Sequence, residues 1–214
     1  VEMSHTNYEN GYVDKTGCDY AKANVNMKRS LLMIRDQKYM IVTDYVTALD
    51  DSDYIVAQNW HFMPGSNFTI DQTTGIAKTD KSGANVQIIP IKAESSLDYV
   101  CEREGYYCPN KGVIQNNPYP AYEKSGAGDK VYNTVILPTS PGQSVTSTAQ
   151  NIALDVGETT ASASHITMTD DNTGDVRDVY YYILHDAEKK EQRTFGKYST
   201  DSKLAIVEHY NGMP

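Results

Sequence analysis

Three cysteines in 214 residues, Cys18, Cys101 and Cys108, are too few for a disulfide-dense scaffold, and none forms a C-x-x-C pair. No histidine stands at zinc-ligand spacing from them, so a structural zinc site is not expected. Cys101 and Cys108 flank a glycine-containing bend, which leaves two readings: a disulfide across it, or two buried free thiols. Long apolar runs are missing too. Hydrophobic residues make up 39% of the chain, mean hydropathy is -0.55, and no stretch approaches the roughly 20 residues of a spanning helix. A soluble chain without a membrane span is expected. Clustered positive charge is absent: the net charge is -9, and the adjacent cations Lys28-Arg29 and Lys189-Lys190 read as solvated surface. Nucleic acid is therefore excluded as a partner, because phosphate neutralisation needs a basic face. No nucleophile elbow, P-loop or dinucleotide fingerprint occurs. The first residues lack a basic n-region and an apolar h-region, so any export signal is expected to lie upstream or to have been removed.

Tyrosine is plentiful instead, 17 residues against 3 Phe and 1 Trp. Its apolar ring and polar tip suit sheet surfaces and sugar stacking alike, with sheet packing the default. In Val179-Tyr180-Tyr181-Tyr182-Ile183-Leu184, alternation puts Tyr181 and Ile183 on one face and Tyr180, Tyr182 and Leu184 on the other, as a strand covered on both sides requires.

The run 29–65 reads as a three-stranded antiparallel meander. Leu31 to Ile34 is apolar on both faces, Asp36-Gln37 supplies a tight turn, and Tyr39-Met40-Ile41-Val42 continues with residues strands favour. An acidic loop at 50–53 leads to a third strand alternating Tyr54, Val56, Gln58, Trp60 and Phe62 against Ile55, Ala57, Asn59 and His61. Further strands are expected over 67–70, 76–78, 85–92, 97–103, 131–137, 151–156, 161–169, 175–185 and 203–210. The segment 187–192 reads as at most a helical turn, 108–125 as a long ordered loop, and 140–150 as a flexible polar one. The fold class is all-β, a large antiparallel β-sandwich of about a dozen strands, supersandwich-like, and one domain over 1–214.

Two polar residues interrupt apolar strands. Asp44 is expected to be buried and paired with Arg29 or His61, chiefly as a structural group, because an unpaired buried carboxylate is costly. His165, His185 and His209 read as solitary histidines without a ligand role. The acidic turns at 50–53 and 170–175 hold oxygen ligands suited to calcium, but neither has EF-hand spacing, and the second reads better as a hairpin turn. No cofactor is expected.

The succession of motifs carries a resemblance. Asp19-Tyr20 leading to Arg29, Tyr39-Met40-Ile41-Val42-Thr43-Asp44, Trp60-His61-Phe62, Glu104-Gly105-Tyr106-Tyr107-Cys108, Pro118-Tyr119-Pro120-Ala121-Tyr122 and Asn133-Thr134-Val135-Ile136-Leu137-Pro138 follow in the order of the C-terminal β-sheet domain of heparinase II/III-like polysaccharide lyases, which the chain resembles. The resemblance implies β-elimination on a uronate-containing polysaccharide: a base removes the proton beside the carboxylate, and an acid, often Tyr, assists the departing oxygen. It implies a partner domain, an N-terminal helical toroid, and a secreted or periplasmic location. A metal ion belongs to the full-length enzyme at most. This chain has no H-x-H, and His5-Thr6-Asn7 is not the family's His-Asn pair. It is therefore expected to begin after the catalytic strand and to have no activity alone. Sugar contact, if any, is expected from Tyr119 and Tyr122 in the 108–125 loop. The alternative function is a free-standing extracellular carbohydrate-binding or adhesive β-sandwich.

Overall fold

The computed structural model describes residues 2–5, 24–34, 38–91, 99–185 and 191–213. Cys18, Asp19-Tyr20, the Asp36-Gln37 turn and most of 187–192 lie outside these. The described residues contain no helix and eighteen strands. The first nine are β1 (Glu2–His5), β2 (Val25–Ile34), β3 (Tyr39–Ala48), β4 (Tyr54–Asn59), β5 (Phe68–Ile70), β6 (Ala77–Thr79), β7 (Asn85–Ile91), β8 (Tyr99–Arg103) and β9 (Tyr106–Asn110). There follow β10 (Val113–Asn116), β11 (Tyr119–Gly126), β12 (Lys130–Thr139), β13 (Val145–Asn151), β14 (Ala161–Asp170), β15 (Val176–Leu184), β16 (Arg193–Phe195), β17 (Tyr198–Thr200) and β18 (Leu204–Tyr210).

A seven-stranded sheet, ordered β1-β2-β3-β12-β7-β6-β5, lies at the centre. One of its faces packs on the four-stranded sheet β13-β14-β15-β18: Ile41, Ile89 and Val135 from the first meet Ile166, Val179, Tyr181 and Ile183 from the second. The other face packs on the three-stranded sheet β4-β11-β8, where Val100 and Tyr122 meet Ile88 and Tyr132. Every strand pairing among the described residues is antiparallel. The outer face of the four-stranded sheet carries a third cluster, in which Tyr182 and Leu184 pack with Phe195. β15 is thus apolar on both faces for the reason its alternation gives: successive side chains enter different cores. The architecture is an all-β sandwich with an added layer, with more strands than the sequence suggests.

The expected meander is corrected at its third strand. β2 and β3 pair as read, but the second edge of β3 is taken by β12, with Thr134 opposite Val42. β4 pairs instead with β11, Tyr122 opposite Gln58. Lys130–Thr139 is buried almost throughout and needs cover on both faces, whereas β4 leaves Ile55 71% exposed. The two-sided strand takes the central position. The 108–125 loop is also corrected, because it contains β10 and most of β11. So is the 140–150 loop, which contains most of β13, whereas 151–156 is not a strand beyond Asn151.

At Gly105 the chain leaves one sheet for another: β8 pairs with β11 and β9 with β10. That change keeps Cys101 and Cys108 apart, and both are free thiols, neither buried. Gly105 accepts a hydrogen bond from the Asn117 amide at 2.7 Å. A Cβ there would sit 2.5 Å from the Asn117 carbonyl oxygen and 2.7 Å from the Tyr119 ring. Gly105→Ala is therefore expected to cost about 2 kcal/mol through forced displacement of backbone, read as a lower urea midpoint at unchanged slope. A midpoint equal to that of the parent protein would show that the crossing relaxes freely.

Candidate functional site

Cross-strand register places Arg29 of β2 directly opposite Asp44 of β3. Arg29 donates from Nε to Asp44 Oδ1 and from Nη2 to Oδ2, each at 2.6 Å, a two-pronged contact that suits the planar guanidinium. Gln58 Nε2 donates to Asp44 Oδ2 at 2.8 Å. Gln58 Oε1 in turn accepts from Thr134 Oγ1 at 2.6 Å and from the Trp60 ring nitrogen at 3.1 Å. The guanidinium lies 5.9 Å from the centre of the Trp60 ring. Asp44 is 3% exposed, and its pairing satisfies the requirement that made it conspicuous in the sequence.

His61 does not join this network. Alternation along 58–62 turns Gln58 and Phe62 inward and His61 outward. Its exposed ring packs on Tyr119, centroids 4.1 Å apart. Tyr122 sits elsewhere than expected as well. It is buried, and its hydroxyl donates to the Gly75 carbonyl at 2.8 Å, so its ring has no open face for a sugar. Burial pushes its phenol pKa well above the ordinary value. Of the two tyrosines named for sugar contact, only Tyr119 is half-exposed.

The solitary histidines are in company. His165 and His209 lie on the outer side of the four-stranded sheet. His165 stacks on Tyr180 at 4.4 Å and approaches Asp178 at 3.1 Å. His209 stands opposite Asp178 and is hydrogen-bonded to the Tyr198 hydroxyl. His185 is buried, its Nε2 3.1 Å from Ser162 Oγ, and its ring stacks on Tyr45 at 5.0 Å. Ser162 belongs to a polar chain through the main core: Asn133 donates to it at 3.0 Å, and Thr43 donates to Asn133 at 2.6 Å. Thr43 Oγ1 then lies 3.1 Å from the Tyr181 hydroxyl. Having already given its proton to Asn133, Thr43 can only accept there. Burial, with Lys28 as a second cause, lowers the His185 pKa to about 4.

Among the described residues no group of three or more His, Cys, Asp or Glu side chains is placed to hold a metal. The acidic turns are held by donors of the protein itself. Asp50 accepts from Tyr54 and the Ser52 amide. Asp170 accepts from the amides of Asn172 and Thr173 at the hairpin joining β14 and β15.

One recess collects mixed polar chemistry. At the end of the sandwich where β12 runs into β13 and β14 into β15, a cleft of 340 Å³ opens between the sheets. Lys38, Gln143, Asp170, Asp175, Arg177 and Tyr210 supply its polar groups, and Leu137, Pro138, Val145 and Met168 its apolar lining. Arg177 is held 5.9 Å from the ring centres of both Tyr39 and Tyr210, with its Nε 3.3 Å from Glu208. Glu208 also accepts from the Tyr39 hydroxyl at 2.9 Å. Sequence reading missed this cleft because its residues come from five strands and three turns. The tyrosines that steady Arg177 read by default as sheet packing.

No protein-family model matches the chain, and no curated protein matches it in sequence. Its fold is similar to solved structures of heparan sulfate lyase HepC from Pedobacter heparinus. A mutant of that enzyme superposes with a TM-score of 0.59 at 18% identity, and the enzyme without that description with the same score at 17%. Each match covers 76% of this chain and 24% of the lyase. The chain thus spans about a quarter of the length of the lyase it resembles, and the likeness is one of fold.

Proposed function

We propose that residues 1–214 form one β-sandwich domain, the C-terminal accessory part of a secreted or periplasmic heparinase II/III-like lyase that cleaves uronate-containing polysaccharide by β-elimination. The superposition on about a quarter of a heparan sulfate lyase carries this reading. The order of sequence motifs supports it independently. Elimination needs a base at the proton beside the carboxylate, an acid at the departing oxygen, and a counter-charge for the developing enolate. The most prominent ionic group here, Arg29 with Asp44, is locked in an internal network, which suits a supporting role. In this reading an N-terminal helical domain supplies most of the substrate cleft, and the sandwich supplies one wall and rigidity.

The isolated chain is expected to release no unsaturated uronate from heparan-like, alginate-like or other uronate polymers. The protein joined to its helical domain is expected to release it. Both are followed by the absorbance of the new double bond. Enzyme-like turnover by the isolated chain, or none by the joined protein on any uronate polymer, would sink the reading. The second outcome would favour a carbohydrate-binding sandwich, to which the cleft beside Arg177 lends support.

A further inference from the structure

We propose that the cleft between β12–β13 and β14–β15 is a binding site for a single pyranose unit of a glycan, neutral or carrying one carboxylate. Its volume, 340 Å³, lies at the lower end of ligand-sized recesses. The lining mixes donors and acceptors, as a ring of hydroxyl groups demands. Lys38 and Arg177 donate, Asp170 and Asp175 accept, and Gln143 and Tyr210 belong to types that do both.

The carboxylates retain capacity. Asp170 takes three donors, from Gln143 at 2.7 Å, Asn172 at 2.9 Å and Thr173 at 3.3 Å. A carboxylate offers about four acceptor positions, which leaves about one. Asp175 accepts from Asn211 at 2.8 Å and Thr173 at 2.9 Å, and interacts with Tyr210. These inner bonds fix both carboxylates before any ligand arrives, which lowers the entropy cost of binding. Arg177 is fixed in the same manner by Tyr39, Tyr210 and Glu208. Pro138 and the 44% exposed Tyr210 offer apolar surface for the C–H face of a sugar.

Charge excludes the competing ligands. Two cations face two carboxylates, so a phosphate or a multiply sulfated unit meets repulsion from Asp170 and Asp175, and an apolar ligand leaves four charged groups desolvated. A sugar with one carboxylate toward Lys38 and Arg177 and hydroxyls toward the two aspartates carries less charge toward Asp170, Asp175 and Glu208 than a phosphate or multiply sulfated unit and keeps both costs smaller. The inference rests on the cleft alone, and the lyase reading can fail without it.

The test is a titration of the isotope-labelled chain, monitored by its amide NMR signals, with cellobiose, with an unsulfated glucuronate-containing disaccharide, and with free glutamate as a zwitterionic control. At least one disaccharide is expected to give saturable shifts centred on Gln143, Asp170, Asp175 and Arg177, at millimolar or tighter affinity. Lys38→Gln and Gln143→Ala, each first shown to keep the parent amide spectrum elsewhere, are expected to weaken that binding about fivefold, the worth of one hydrogen bond. The proposal is overturned if neither disaccharide gives saturable shifts, if the shifts centre outside the cleft, if both substitutions leave affinity unchanged, or if glutamate alone binds. Lyase activity of the joined protein is measured separately, so an empty cleft in an active lyase defeats only this inference.

Discussion

Asp44→Ala is expected to lower the unfolding free energy by about 3 kcal/mol, because it removes the carboxylate to which two guanidinium nitrogens and Gln58 donate in a buried setting. The figure sits at the low end for a broken buried pair, since the Arg29 side chain is 32% exposed and water solvates part of the charge left behind. Replacing both partners tests the cause. Asp44→Ala with Arg29→Met removes the uncompensated cation and supplies an apolar side chain beside Trp60, so the double variant is expected to be more stable than Asp44→Ala alone. Urea unfolding of the two single variants and the double variant measures the coupling. A loss below about 1 kcal/mol for Asp44→Ala would mean the network is worth no more than an exposed ion pair.

Acid is expected to destabilise the protein by about 3 kcal/mol between pH 7 and pH 4 through His185 alone. The folded pKa of about 4 lies below the ordinary 6.5, and a difference of that size corresponds to about 3 kcal/mol. The direction follows from proton uptake. Between pH 6.5 and 4 the unfolded chain protonates this histidine while the folded chain keeps it neutral beside Ser162, Tyr45 and Lys28, so falling pH favours unfolding. Stability is fully present above pH 6.5 and is lost as pH falls toward 4. Asp50, Asp170, Asp171 and Asp175, all with lowered pKa values, add most of their losses below their ordinary 3.8, so His185 dominates the upper part of the acid range. The measurement is the slope of unfolding free energy against pH for the parent and for His185→Gln. The variant is expected to flatten the slope between pH 6.5 and 4, whatever its absolute stability. A slope that persists in the variant would assign the effect to other groups.

How much was legible in the sequence varies by residue. The two faces of β15 were read correctly, because alternation over 179–184 is a local property and each face had only to find apolar cover. The pairing of β2 with β3 was legible for the same reason. Asp44 announced a partner because burying a carboxylate forces one, and the choice of Arg29 over His61 followed from register and from the outward turn of His61. The cleft around Arg177 was not legible. The acidic turn at 170–175 stands out locally, but nothing in it points to Lys38, Gln143 or Tyr210, which come from distant parts of the chain.

The amino-acid sequence by itself determined the all-β class, the two-sided central strands and the need to neutralise Asp44, because periodicity and the cost of burying charge act within a few residues. Tertiary structure alone decided that β12 rather than β4 lies beside β3, that β8 and β9 part at Gly105, that His185 is buried beside Ser162, and that Lys38, Asp170, Asp175 and Arg177 line one cleft. Those outcomes depend on which two-sided strand takes the centre of a sheet. Such competition between distant segments leaves no trace in the pattern of any one of them.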